Sequence, residues 1–210
     1  MNQDDLRALS FASADHSEEL ARAELYGLLA RLWMAPPDAE LLARFRVVVT
    51  ETPEGGLLEA PWQALVSALR ATTPEVAADE YDALFGGVGK PEVFLYGSFY
   101  LAGFLNEKPL AALRTDLAAL GLTRDPGRGE TEDHIAYGCE VMRFLIAGDD
   151  IAVCNLEQQR RFFRGHLQTW VGDLCDAVDA HPRAQIWRAV AQLTRVFLDI
   201  ETQGFDLLEA

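Results

Sequence analysis

Cysteine is scarce in this chain. Three thiols, Cys139, Cys154 and Cys175, are spread through 210 residues, with no C-x-x-C pair among them. An odd, widely spaced set builds neither a disulfide framework nor a thiolate zinc site. It fits reduced, mostly buried thiols. Basic residues are few as well: 18 Lys and Arg stand against 33 Asp and Glu, a net charge of −15. Such a surface repels a phosphate backbone, and no basic stripe offsets the repulsion. Nucleic acid is therefore excluded as a partner and a cationic one is favoured. Long apolar runs are missing too; none approaches the about 18 uninterrupted residues of a membrane span. The opening residues, MNQDDLRALSFASADHSEEL, place acids where a secretory signal carries bases, and they lack an apolar h-region. Arg160-Arg161 is a twin arginine with no apolar run behind it, so it is not an export signal. These absences predict a cytoplasmic protein.

The common catalytic signatures are also absent. The nearest approach to a phosphate-cradling loop is Gly86-Gly87-Val88-Gly89-Lys90, with Pro91 where Ser or Thr would stand. Tyr96-Gly97-Ser98 lacks the second glycine of a nucleophile elbow. The four histidines, His16, His134, His166 and His181, include no H-E-x-x-H pair. Asp133, His134, Cys139 and Glu140 can be drawn as metal ligands, but His134 and Glu140 fall on different faces of one helix. Asp133 beside His134 is also a conceivable acid–base pair. On residue chemistry alone, a polar helix start is the simpler account. Neither the metal site nor a cofactor is expected, and a binding protein is favoured over a metal- or nucleotide-dependent hydrolase.

What the chain does have is apolar residues, half of the total, at helical spacing. Ala21, Leu25, Leu28, Leu29 and Leu32 make one stripe, closed by Pro36-Pro37. Asp38 is placed to cap a second helix. ETPEGG (51–56) is a connector, and Trp62, Leu65, Val66 and Leu69 mark a third helix from about Pro61. Thr73-Pro74 starts a fourth, with Ala77, Tyr81, Leu84 and Phe85 on its face and Gly86-Gly87 at its end. Residues 88–106 mix glycine, proline and aromatics without a period and read as a long apolar loop. Leu110, Leu113, Leu117 and Leu120 mark the next helix, ended by Gly121. TRDPGRGET (123–131) reads as a second loop. A further helix is expected from Thr131 as N-cap, with Glu132 and Asp133 in its first turn. Ile135, Cys139, Met142 and Ile146 lie on its face. Leu156, Phe163 and Leu167, then Trp170, Leu174 and Val178, then a long helix from Pro182 to about Thr202 with a stripe from Ile186 to Ile200, complete an all-α pattern. The expectation is a single helical bundle of about nine to ten helices over 1–210, without a sheet, and with a possible internal hinge at 86–98.

Several segments together resemble the TorD/DmsD family of redox-enzyme maturation chaperones. They are YGLLARLWMAPPDAELL (26–42), EYDALFGG (80–87), YGSFY (96–100), ETEDHIAYGCEVMRFL (130–145) and FFRGHLQTWVGDLCDAVDAHPRAQIWRAVAQLTRVFL (162–198). Each is short; their order and spacing carry the resemblance. Two departures stand out. The family's proline pair before the loop serine is replaced by Val93-Phe94-Leu95-Tyr96-Gly97, and Tyr81 stands where tryptophan is common.

The resemblance implies an all-helical cytoplasmic chaperone for a molybdopterin-containing oxidoreductase catalytic subunit. Such a protein binds the client's twin-arginine signal peptide, or its body, and delays export until the cofactor is inserted. A client that is never exported is the variant reading. By motif, the peptide-binding candidates are Tyr81, Leu84, Phe85, Tyr96, Ser98, Asp133 and His134, with Glu132 beside Asp133. Leu84, Phe85 and Tyr96 would receive the apolar part of the peptide. Asp133 and Glu132 would take its guanidinium groups, and His134 would orient Asp133 or bond peptide carbonyls. No stable membrane insertion is implied. The state is a monomer, or a dimer swapped through the 86–98 hinge. A helical adaptor unrelated to redox enzymes is the remaining alternative.

Overall fold

A computed structural model of the chain describes residues 14–47, 55–86, 90–125, 127 and 129–207. The expectations for the first 13 residues, the His16 side chain, Val48-Val49, the 51–54 part of the ETPEGG connector and Gly87 to Gly89 lie outside them. Among the described residues ten helices run in order: α1 (Ala14–Met34), α2 (Ala39–Val47), α3 (Glu59–Ala71), α4 (Pro74–Phe85), α5 (Gly97–Ala102), α6 (Lys108–Ala119), α7 (Ile135–Ala147), α8 (Leu156–His166), α9 (Val171–Ala180) and α10 (Ile186–Leu207). Among the described residues there is no strand beyond one isolated bridge, Tyr96 to His134, so the fold is the expected all-α bundle. No helix among them is long and apolar enough to cross a membrane.

Local signals set several boundaries as read. Asp38 accepts from the Leu41 N–H at 2.7 Å and starts α2. Thr73 accepts from the Val76 N–H, with Pro74 in the first turn of α4. Asn155, a cap that the residue pattern did not single out, accepts from the Gln158 N–H at 3.0 Å and starts α8. Gly121 ends α6 with φ of 73°, a left-handed conformation that suits glycine.

Helix α1 lies between α7 and α10. Being covered on two sides, it buries a wider face than the one expected stripe. Tyr26, Leu29, Ala30, Leu32 and Trp33 are buried, whereas Leu25 and Leu28 are half-buried and Ala21 is exposed. Its large polar-tipped side chains find partners on α10. Arg22 and Tyr26 both reach Glu201, Arg22 with two bonds of 2.7 and 2.8 Å. Trp33 Nε1–H donates to Thr194 at 3.1 Å, and Trp187 Nε1–H donates to the Leu32 carbonyl at 3.3 Å. Buried Gln159 of α8 bonds Arg22 and the Leu145 carbonyl, joining α8 to α1 and α7. Leu156, expected on the buried face of α8, is exposed; Phe163 and Leu167 are buried as expected, and Phe162 joins them.

Helix α10 starts under an acceptor supplied from far away. The Glu80 carboxylate of α4 accepts from the backbone N–H groups of Gln185, Ile186 and Trp187, at 2.8, 3.2 and 3.0 Å. The first N–H groups of a helix have no partner within it, and their partial positive charge favours a carboxylate. Helix α10 runs to Leu207, one turn beyond the expected end.

Two stretches differ from the expected pattern. Residues 97–102, expected within the loop, form α5. Helix α7 begins at Ile135 rather than in the turn after Thr131. Its N-cap is His134, whose Nδ1 accepts from the Ala136 N–H at 3.2 Å. The cause is a backbone pairing that takes the lead-in residues out of the helix. The Gly97 N–H donates to the Asp133 carbonyl and the Ile135 N–H to the Leu95 carbonyl, both at 2.9 Å. This antiparallel joint ties the front of α5 to the front of α7.

Candidate functional site

The α5–α7 joint gathers Tyr96, Ser98, Glu132, Asp133 and His134. Asp133, though buried, has a polar partner for each of its oxygens. Its backbone carbonyl and its Oδ2 take the first two N–H groups of α5, Gly97 and Ser98, at 2.9 Å each. Its Oδ1 accepts from the Thr131 hydroxyl at 2.6 Å. Asp133 is thus the cap of α5, delivered from the other side of the joint. Gly97 is required there for space: a Cβ would lie 2.9 Å from Nε1 of Trp170. That indole is fixed by a 2.7 Å bond to the His166 carbonyl and by stacking on Tyr100.

His134 is almost fully buried, and its ring meets Tyr96 edge-to-face with centroids 5.2 Å apart. Burial lowers its pKa to about 4, against the opposing pull of Glu130 and Asp133. It is therefore neutral near pH 7, which leaves Nδ1 free to accept the Ala136 N–H. The Tyr96 hydroxyl donates to the Glu130 carboxylate. Burial, with that bond to Glu130 next, pushes the phenol well above its usual range.

Glu132 forms a two-bond ion pair with Arg114 of α6, at 3.0 and 2.8 Å. The Arg114 bonds hold its carboxyl below the ordinary range. The pair is open to solvent on the arginine side, where the Arg114 side chain is 49% exposed and Glu132 is 12% exposed. Two cavities meet at Glu132. The smaller, about 90 Å³, is lined by Ser98, Asp133, His134, Gly138 and His166 among others. The buried Ser98 hydroxyl lies there without a hydrogen-bond partner among the described residues. The larger, about 380 Å³, lies between α6 and α7.

Tyr81, Leu84 and Phe85 sit in a different environment. Leu84 is wholly buried in the core. Tyr81 donates to the Trp33 and Met34 carbonyls at 3.1 and 3.0 Å, closing the end of α1. Phe85 packs edge-on against Trp33, Tyr81 and Trp187. The segment EYDALFGG therefore clamps α1 and α10, with Glu80 on one and Tyr81 on the other. The bridge between the two groups is short: the Val93 N–H donates to the Leu84 carbonyl at 2.9 Å, three residues before Tyr96.

Residue patterns did not reveal three participants. Arg114 carries no local signal, because its partner is 18 residues away. Glu130 stands in the quoted ETEDH run, yet its bond to Tyr96 spans 34 residues. Glu80 likewise looked like a solvated helix position. Among the described residues, no group of three His, Cys, Asp or Glu side chains is gathered so as to hold a metal ion. Cys139 and Cys175 are buried, and burial raises both thiols.

Comparison with known proteins bears on the same residues. A family model described as "Nitrate reductase delta subunit" matches residues 55–176, a span that contains every candidate from Tyr81 to His134. Two relatives named "Chaperone protein TorD", from Vibrio cholerae serotype O1 strains ATCC 39541 and ATCC 39315, are each 27% identical over 205 residues. Each match covers 89% of this chain and 93% of the relative. A "Perchlorate reductase assembly chaperone protein" from Dechloromonas aromatica (strain RCB) is 26% identical over 214 residues, covering 90% and 93%. The resemblance carried by the ordered motifs thus holds along nearly the whole chain, and the chain belongs to the nitrate reductase delta subunit family, alongside TorD-type chaperones.

Proposed function

We propose that this protein is a cytoplasmic maturation chaperone rather than an enzyme. It binds the twin-arginine leader, the body, or both, of a molybdopterin oxidoreductase catalytic subunit, and holds back export until the cofactor is inserted. The cofactor belongs to the client. The observation that carries the reading is the near full-length match to relatives named as chaperones, one of them an assembly chaperone for a reductase. Charge supports the leader as ligand: a chain of net charge −15 suits a peptide with two guanidinium groups. The acidic end of the site is Glu132, whose present partner, Arg114, is half exposed. An incoming arginine can exchange with Arg114 there, guanidinium for guanidinium. Asp133, whose oxygens are already occupied, shapes the joint that presents Glu132 and His134. Calorimetric titration with a twin-arginine leader peptide tests the reading. Binding that falls with added salt and with Arg-to-Lys replacement in the peptide is expected; no heat with any leader sinks it.

A second reading has its own support. Both candidate carboxylates are engaged within the chain, an arrangement equally suited to a protein that grips the folded body of a client that is not exported. A leaderless catalytic subunit that binds as tightly as the complete one, and that no leader peptide displaces, favours this reading.

A further inference from the structure

Helix α6 is bordered by unfilled space on several sides. The 90 Å³ and 380 Å³ cavities both reach its Leu113. A third cavity, about 100 Å³, is lined by Asp116, Ala119 and Leu120 of α6 and by Arg161 and His166 of α8. Phe162 of α8 lines all three. Protein interiors are close-packed, and voids larger than a water molecule are few. Three of them against one 12-residue helix mark an element of low packing density, the kind that opens first.

What holds α6 is an apolar stripe with a polar clasp along each edge. Leu110, Leu113 and Leu117 form the buried stripe. Arg114 stands at one edge and pairs with Glu132 ahead of α7, at 3.0 and 2.8 Å. Asp116 lies about 200° further round the helix, at the other edge. It accepts from Arg161 and from the His166 ring of α8, at 2.9 and 2.8 Å. The Arg114 and Arg161 side chains are both open to solvent, so each arginine pair is weak. The two connectors are open as well. Residues 101–107 and Gly121 are exposed. Gly103, Asn106 and Gly121 have φ of 80°, 62° and 73°, in the left-handed region that glycine and asparagine enter most readily. Short exposed turns of this kind can absorb the dihedral changes of a hinge without uncovering core.

From this arrangement we infer that α6 is a flap, which swings away from α7 and α8 about the turns at 103–106 and 121 while the rest of the bundle stays folded. Its release joins the three cavities into one trough across Phe162. Glu132 on one rim, and Arg161 and His166 on the other, are then freed of their α6 partners. A 12-residue helix is marginal by itself in water, so release also loosens the hydrogen bonds within α6. Flap opening is a property of the fold and holds whichever ligand the protein takes.

The test uses the full chain with no ligand added. Native-state hydrogen exchange, followed through urea well below the unfolding midpoint, reads opening helix by helix. Amides 112–119 of α6 should exchange at least about tenfold faster than those of α1, α7, α8 and α10, with little dependence on urea. Helix α9, shorter still at 10 residues, controls for length and should stay protected. Leu117→Cys in a Cys154→Ser background gives a second readout, with the buried Cys139 and Cys175 as internal references. Its thiol should be labelled at least about tenfold faster than either. Arg114→Ala and Asp116→Ala should each speed α6 exchange about three- to tenfold and leave α1 and α10 unchanged. Added salt should act in the same direction on wild type and hardly at all on the double variant. The inference is overturned by α6 exchange that matches α1 and α10 in rate and urea dependence, by α7 or α8 opening together with α6, or by clasp variants that speed exchange equally throughout. Wild-type exchange alone decides the matter where circular dichroism shows Leu117→Cys to be unfolded.

Discussion

The carboxylate of Asp133 accepts the backbone N–H of Ser98, 35 residues earlier, at 2.9 Å. An acid that looked like an open ligand for arginine is thereby the local lock between α5 and α7. This separates two effects that a single substitution would confound.

Asp133→Ala leaves the buried Ser98 N–H without its acceptor. A loss of about 1–3 kcal/mol in unfolding free energy is expected, read by urea denaturation. Asp133→Asn keeps one oxygen for that bond and should recover most of the stability. Peptide affinity measured on the Asn variant then reports the charge alone. Equal stability of the Ala variant and wild type would show that the lock is not needed.

The His134 pKa of about 4 has a definite consequence for stability. Its unfolded value is near 6.5, so between these values the unfolded chain binds more protons than the folded one. Stability therefore rises with pH through that window, is fully present above it, and is lost as pH falls towards 4. The linked contribution is about 3 kcal/mol. His134→Asn, which retains a capping acceptor for the Ala136 N–H, should flatten the profile between pH 4 and 6.5. Denaturation curves across that range check it, and an unchanged slope would assign the acid sensitivity elsewhere.

Glu80→Ala uncovers three N–H groups at the front of α10. A cost of about 1–2 kcal/mol is expected, in line with other lost helix caps. Faster amide exchange at Gln185, Ile186 and Trp187 should accompany it, while α6 and α7 keep their protection. Uniform loss of protection would argue that α10 does not open by itself.

Arg114→Ala separates stability from recognition. An ion pair this exposed contributes at most about 1 kcal/mol, so the unfolding temperature should barely move. Removing the resident guanidinium leaves Glu132 to the incoming one, and affinity for a twin-arginine peptide should rise. Glu132→Gln should lower it. A weaker complex with Arg114→Ala would mean that Arg114 contacts the peptide rather than competing with it.

Much of the helical frame was legible because its causes are local. Asp38 and Thr73-Pro74 act within one turn, and the α3, α6 and α9 stripes lie where apolar spacing put them. The joint was not legible. Thr131 and the acids after it have the composition of a helix start, and only pairing with Leu95 and Gly97 makes them a lead-in, with the cap passing to His134. Nor does any spacing distinguish Tyr81, Leu84 and Phe85 as groove from the same residues as core. The surroundings of Phe85 are set by Trp33 and Trp187, which come from distant parts of the sequence. Which side chains of those segments are engaged within the chain depends on partners 18 to 35 residues away.

The ion pair between Arg22 and Glu201 closes over 179 residues. The Trp33–Thr194 and Trp187–Leu32 bonds join the same two helices over 161 and 155. Contacts of such long range form only after the intervening loop entropy has been overcome, and they slow folding. On the ribosome α1 emerges before α10, so the α10 partners of Arg22, Leu32 and Trp33 arrive only once the intervening helices have been made. The α1–α10 joint is therefore a late event of synthesis, and a chain that stops short of α10 lacks these three bonds.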